Sequence, residues 1–359
     1  MWEVADIVRL HGEAFRKKWD HRLTSVQKQA LADIQNCQTA FFGGHVHQCD
    51  HCDGKVYSYH SCRNRSCPKC HQDRTDRWLA KQRAALLPCS YYLLTFTLPA
   101  ELRPLARSHP KKLYGLLIKA AADALQKLAR DPRYLGARLG ILAVLHTWTR
   151  AMLYHPHVHM LVTAGGLSSD GSRWIPAKNP AFLVPVRALS IIFRAKMCAA
   201  LNKARLLEHV PASVWKQNWV VHSKHAGSGD KVLQYLARYV FRIAITNSRI
   251  ESIHDANVTF RYRNNRTQRL ERATLSAVEF LERFLQHVLP RGFTKVRYYG
   301  IFSPHCRTQR DSAAALLPTI APKAPQPLPS SPPLPRCPLC NNGNLICMAT
   351  IAPQRSRSP

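Results

Sequence analysis

The chain has 359 residues, enough for two or three folded units, and no apolar run near the roughly 20 residues a membrane-spanning helix needs, so no such helix and no membrane partner are expected. Its 52 Lys and Arg against 21 Asp and Glu leave a formal net charge of +31, which self-repels unless a polyanion shares the field and so points to nucleic acid. Twelve cysteines without a secretory leader argue against a disulfide framework and for metal ligation in a reducing compartment, hence a cytoplasmic protein that joins the nucleoid when it acts.

In chain order, Thr24 or Ser25 caps a helix running to about Gln38 on the apolar spacing Val26, Ala30, Ile34. A cysteine-rich module extends to Cys70, and a helix then continues to Leu87, where Pro88 stops it. Tyr91 to Leu98 reads as a strand, Lys111 to Arg130 as a helix, and Ile141 to Thr149 as a second strand. A histidine-bearing strand starts at Tyr154, with Gly165-Gly166 expected to end it. Val186 to Leu207 reads as a helix, Trp219 to His222 as extended, and Gly229 to Ala244 as a helix after a Gly-Ser-Gly turn. Polar β-rich segments from Ser248 to Arg269, a helix from Leu275 to Leu289 and a strand from Thr294 to Ser303 follow. Helices set between the strands of one antiparallel sheet define an α+β fold. Beyond Pro318 the Pro, Ala and Ser content is too high for a core, so residues 306–359 are expected to be a disordered tail. Its Cys337-Pro-Leu-Cys340 is at most half a zinc site.

Cys49-x-x-Cys52 and Cys67-x-x-Cys70, fourteen residues apart, have the spacing of two knuckles that share one tetrahedral Zn²⁺. His45, His47, His51 and Cys62 are alternative ligands or donors for a second ion. Arg63, Arg65, Lys69, Arg74 and Arg77 surround the module, which therefore reads as a structural zinc element presenting cations to DNA.

His157 and His159 alternate with Val158 and Met160, so on a strand both imidazoles share one face and can aim at a single divalent ion, while the apolar residues fill the core. Two tyrosines, Tyr235 and Tyr239, lie one turn apart on a helix, with Val232, Leu236, Val240 and Ile243 as an apolar stripe that would equally suit core aromatics. Beside a divalent cation, a tyrosine can attack a phosphodiester and store the bond as phosphotyrosine, and a second tyrosine permits strand transfer. Arg238 and Arg242 stand beside this face as candidates to steady the phosphate.

The combination of His157-Val158-His159, Tyr235-x-x-x-Tyr239 within YLARYVFRIAITNSRI, the CRNRSCPKC module and the closing HVLPRGFTKVRYYGIFS resembles the rolling-circle transposases of the two-tyrosine HUH superfamily, in particular the insertion sequence ninety-one family, from about residue 5 to 310. The resemblance implies an antiparallel-sheet HUH nuclease core preceded by a small zinc-binding module. It implies Mg²⁺ or Mn²⁺ on His157 and His159, nucleophiles at Tyr235 and Tyr239, Zn²⁺ on Cys49, Cys52, Cys67 and Cys70, and single-stranded DNA of mobile-element ends and target DNA as substrate. HUH nucleases usually recruit a third polar ligand, for which His155 and Gln234 are the candidates. The expected organisation is a helical zinc-binding DNA-binding domain at 1–88, a nuclease domain at 89–305 and the tail. The expected activity is metal-dependent single-strand cleavage and strand transfer through a 5′-phosphotyrosine. A replication initiator or relaxase using the same cut, and a zinc-dependent DNA-binding protein that does not cleave, are the alternatives.

Overall fold

A computed structural model describes residues 1–179, 181–241, 243–264, 267–318 and 334–354, except for the side chains of Arg238 and Tyr239. Two compact units emerge, neither contiguous in sequence: Gln72–Ala244 with Gln286–Ala321, and Met1–His71 with Ile245–Leu285 and Pro322–Pro359. The expected consecutive partition at 88/89 and 305/306 therefore gives way to a chain that leaves its first unit and returns to it twice. No helix among the described residues is long and apolar enough to cross a membrane.

The larger unit is built on an antiparallel sheet in the order Val296–Gly300, Arg138–Trp148, Tyr154–Leu167, Tyr91–Thr97, Val221–Gly227, with Trp174–Pro176 pairing the far end of the histidine strand. Strict alternation divides its faces. Val158, Met160 and Val162 are fully buried in a core with Leu117, Ile118 and Phe193 from the helices Pro110–Ala129 and Val186–Lys203. On the opposite face Leu142, Val144 and Leu161 pack with Val232, Leu233 and Leu236 of the helix Asp230–Val240.

Two local features set the strand geometry. Gly165-Gly166 does not end the histidine strand, which runs to Leu167. Gly165 instead sits at φ +145, where a Cβ would lie 2.7 Å from the Ile175 carbonyl oxygen and 2.8 Å from the Trp174 ring, so the glycine admits the short Trp174–Pro176 strand. At the other end a register shift falls where Pro156 has no N–H to donate to the ladder, and such bulges commonly re-aim side chains beside active sites.

The smaller unit joins the helices Val4–Trp19 and Ser25–Gln35 to two three-stranded antiparallel sheets. Of the two candidate caps, Thr24 caps the second helix, in a reciprocal capping box with Gln27. The polar segments after Ser248 form their own sheet, Ile250–His254, Asn257–Arg263 and Leu270–Ser276, rather than extending the large one, because their one buried face, Val258 and Phe260, packs with Phe280 of the helix Ala277–Leu285. The tail departs furthest from expectation. Leu345–Ile351 is a strand paired antiparallel to Gly44–Cys49, which in turn pairs with Lys55–Tyr59.

Candidate active site and metal centres

The tight connection between the second and third strands, closed by Thr149 N–H donating to the Leu153 carbonyl at 2.9 Å, fixes their register so that His146 lies directly across from His157. His146, His157 and His159 each offer a ring nitrogen, and these atoms lie within 4.8 Å of one another. The Nε2 atoms of His157 and His159 are 3.1 Å apart. The Nδ1 of His157 donates to the His155 carbonyl at 2.7 Å, an oxygen that can only accept, so the Nε2 lone pair of neutral His157 points into the cluster. The Nδ1 of His159 meets the Thr95 hydroxyl at 3.0 Å on the next strand, and a hydroxyl can accept or donate, which lets His159 take either tautomer.

Burial keeps all three rings neutral. It pushes His157 down to about 3, with the neighbouring His159 adding to the effect, and His159 down to about 4. His146, 3% exposed, is held well below its ordinary value by burial first and then by repulsion against a positive charge placed beside His159, His157 and Lys295. Neutral imidazoles are the form that binds metal, and His157 keeps a solvent-accessible edge. Trp148 stacks on His146 with centroids 5.3 Å apart, and Lys295 Nζ lies 4.8 Å from the centre of the same indole, placing a cation at the rim.

The tyrosine helix is seated against this face. Gly229, at φ +78, caps it where a Cβ would meet the Tyr91 ring at 2.7 Å, so only glycine lets the helix begin this close to the sheet. Tyr235 comes edge-on to His159, with ring centroids 5.9 Å apart at 87°. Tyr239 lies one turn further along the same helix, its side chain outside the described residues, as is that of Arg238; Arg242 lies outside them altogether.

Neither candidate for the third position joins the cluster. His155, turned by the bulge, faces Arg103, whose Nη2 is 2.9 Å from its Nδ1, and Gln234 donates to Asp230 at 2.8 Å. His146 stands there instead. Sequence reasoning passed it over, although a histidine within a strand one short connection away from His-x-His was the available signal.

The four cysteines expected around one ion separate into two tetrads. Cys67 and Cys70 join Cys37 and Cys62, and Cys49 and Cys52 join Cys337 and Cys340, with the sulfurs of each group within 4.8 Å of one another. The separation has a structural cause: Cys49 ends a strand whose sheet neighbour is the tail strand, while Cys62 Sγ lies 3.7 Å from Cys70 Sγ and the Cys62 amide donates to Cys37 Sγ. In the Cys37 group, hydrogen bonds among the four thiols lower Cys70 and Cys37 and raise Cys62 and Cys67, a conflict of neighbouring sulfurs over shared protons. A divalent cation relieves that conflict by taking all four as thiolates, which suits structural Zn²⁺. His45, His47 and His51 belong to neither tetrad. Of the surrounding cations, Lys69 pairs with Glu3 at 2.9 Å, burial lowers Arg65 from its ordinary value, and Arg63 is exposed.

A zinc module joined to an antiparallel-sheet unit with a histidine cluster and a helical tyrosine defines a DNA-processing protein, and the comparisons with known proteins make the class specific. Residues 140–310 match the family described as "Putative transposase", a span that includes His146, His157, His159, Tyr235 and Tyr239, and residues 7–98 match the transposase zinc-binding domain. The protein named "Putative transposase y4qJ" of Sinorhizobium fredii is 38% identical, over 96% of this chain and 94% of its own length. The transposase for insertion sequence element IS801 of Pseudomonas savastanoi pv. phaseolicola is 31% identical, over 78% of this chain and 71% of its own. No solved structure matches. The chain belongs to the insertion sequence ninety-one family of transposases and carries that family's N-terminal zinc-binding domain.

Proposed function

We propose that this transposase cleaves and rejoins single-stranded DNA at the ends of its mobile element, in rolling-circle fashion, with Tyr235 and Tyr239 as nucleophiles. The observation that carries the reading is the edge-on approach of Tyr235 to His159 beside three neutral imidazoles. Tyr235 packs beside the apolar cluster of Leu233 and Leu236, yet it is only half-buried and its ring edge meets the imidazole cluster.

The donor set fits a borderline divalent ion. Three nitrogens match Mn²⁺ better than Mg²⁺, which prefers oxygen ligands and retains its waters. His146, His157 and His159 would hold that ion, which would supply Lewis acidity at the scissile phosphate. The protein's own residues do the rest. The His155 carbonyl and Thr95 hydroxyl fix the imidazole planes, and Lys295 offers charge to a phosphate oxygen. The Tyr235 oxygen bonds to phosphorus as the bond to the 3′-oxygen breaks, and the phenolic proton passes to the departing 3′-hydroxyl. Tyr239, a turn away, is available for the second strand before the first is released.

The test is incubation of the full chain with Mn²⁺ and labelled single-stranded oligonucleotides spanning the element's ends. A covalent DNA adduct on a peptide containing residue 235 or 239 is expected, and Tyr235→Phe should lower cleavage by roughly 10³-fold or more. Binding without adduct would support a non-cleaving DNA-binding protein instead, and an adduct persisting in the Tyr235→Phe, Tyr239→Phe double variant would remove the tyrosines from the mechanism.

A further inference from the structure

The tail returns the chain to its beginning. Cys337 and Cys340, in a segment whose composition suggested no fold, complete a tetrad with Cys49 and Cys52. Cys49 Sγ lies 3.7 Å from Cys340 Sγ and Cys52 Sγ lies 3.8 Å from Cys337 Sγ. We propose that this tetrad is a second structural Zn²⁺ site that clamps the C-terminal segment onto the N-terminal knuckle, so that the zinc module is assembled from both ends of the chain and holds two ions rather than one.

Three features beyond proximity support the assignment. Backbone amides converge on the sulfurs as they do on bound thiolates: His51 N–H donates to Cys49, Leu339 N–H to Cys337 and Gly343 N–H to Cys340, each at 3.4 Å. The two Cys-x-x-Cys segments thus form matched knuckles, each turning back on a glycine, with Cys49 N–H bonded to the Gly54 carbonyl at 3.0 Å and Cys337 N–H to that of Gly343 at 2.8 Å. Gly343 is also sterically required: a Cβ there would lie 2.4 Å from Cys49 Sγ and 2.7 Å from His51 Cβ, so glycine is what lets the tail knuckle approach the first one this closely. Finally, the tail is fixed on both sides of the tetrad: Asn344 N–H donates to the Asp50 carboxylate at 2.7 Å, and Leu345–Ile351 pairs with Gly44–Cys49. Four sulfurs close a tetrahedral shell and leave no position for substrate, which makes the site a clamp. The matched zinc-binding domain, residues 7–98, contains only half of these ligands.

The proposal is tested on the purified full chain by metal analysis and by cutting the link to the tail. With the histidine cluster first saturated with Mn²⁺, two zinc ions per chain are expected for the wild type, one for the Cys337→Ser, Cys340→Ser double variant, and two again for Cys337→His, because imidazole is an alternative zinc ligand. One ion in the wild type, or two in the double variant, would overturn it. A protease site introduced within 319–333 leaves every cysteine in place, so its result does not depend on how a variant folds. After cleavage the C-terminal fragment should co-purify with the rest in zinc-containing buffer, and its departure from a chain that keeps its zinc would equally overturn the proposal.

Discussion

The cysteine tetrads and the histidine cluster both bring potential metal-ligating atoms within 4.8 Å of one another, yet they differ in how much of an ion's shell they would fill. The Cys37 tetrad has four soft donors, Cys37 and Cys67 are fully buried, and a tetrahedral ion there would have no vacant position. The histidine cluster has three harder donors, an accessible edge at His157 and a tyrosine ring 5.9 Å from His159. Closure marks metal used to hold a fold, and incompleteness marks metal used on a substrate. The difference should be measurable by removing one ligand from each. Cys67→Ser is expected to have the largest effect, because structural zinc contributes about 10–16 kcal/mol in small modules, as much as the whole stability of a typical domain. The variant should lose the ion of its tetrad and expose residues 1–71 to protease, and a zinc-depleted Cys67→Ser protein with undiminished protease resistance would erase the distinction.

His146→Ala should act the other way, sparing the zinc content while weakening Mn²⁺ binding. Loss of a residue that merely orients a ligand costs about 10–100-fold in metal affinity, so loss of a ligand itself should cost roughly 100-fold or more, with cleavage falling in parallel. Titration of Mn²⁺ into the zinc-replete variant reads this directly, and a thermal melt separates lost ligation from lost packing. Unchanged Mn²⁺ affinity would take His146 out of the ligand set and return the third position to an unassigned group.

How much of this was legible in the sequence follows from the range of each signal. Periodicity is local, so His157 and His159 on one strand face and the helix bearing Tyr235 could be read from neighbouring residues, as could a helix cap at Thr24 or Ser25 and the mixed helix and antiparallel-sheet class. His146 could not be read in the same way, because its place beside His157 depends on the register of a strand pair and on the bulge at Pro156. The cysteines misled for a related reason. A gap of fourteen residues makes Cys49, Cys52, Cys67 and Cys70 look like one site, whereas Cys52 finds its partner 285 positions away. Loop-closure entropy grows only logarithmically, and about four doublings of loop length cost roughly 2.5 kcal/mol, far less than a tetrathiolate zinc site supplies. Nearness in sequence is therefore a weak guide to shared ligation once a metal is involved. Composition misled in the tail for the complementary reason: residues 334–354 need no apolar core of their own when a sheet edge and a pair of thiols await them.

The smallest effect separates the two kinds of site by pH. His157 and His159 are depressed to about 3 and about 4, so both are already neutral in the folded protein at any pH above those values. Protons therefore compete with metal at the histidine cluster only in strongly acid solution, and Mn²⁺ affinity should stay flat between about pH 8 and pH 5 in the ligand-free reference state. Ordinary histidines, titrating near 6.5, would instead lose affinity steeply over the lower half of that range. The same depression carries a stability sign. Unfolding raises each pKa back to about 6.5, so the unfolded chain binds more protons below that pH. The unit that carries the cluster should keep its full stability above about pH 6.5 and lose it progressively as the pH falls toward 4 and 3. Metal titrations and urea melts at matched pH check both halves: an affinity that drops by tenfold or more per pH unit from 6.5 downward, toward a hundredfold if His157 and His159 both titrate there, would show that the rings are solvated rather than buried, and would remove the reason for reading the cluster as a pre-formed site.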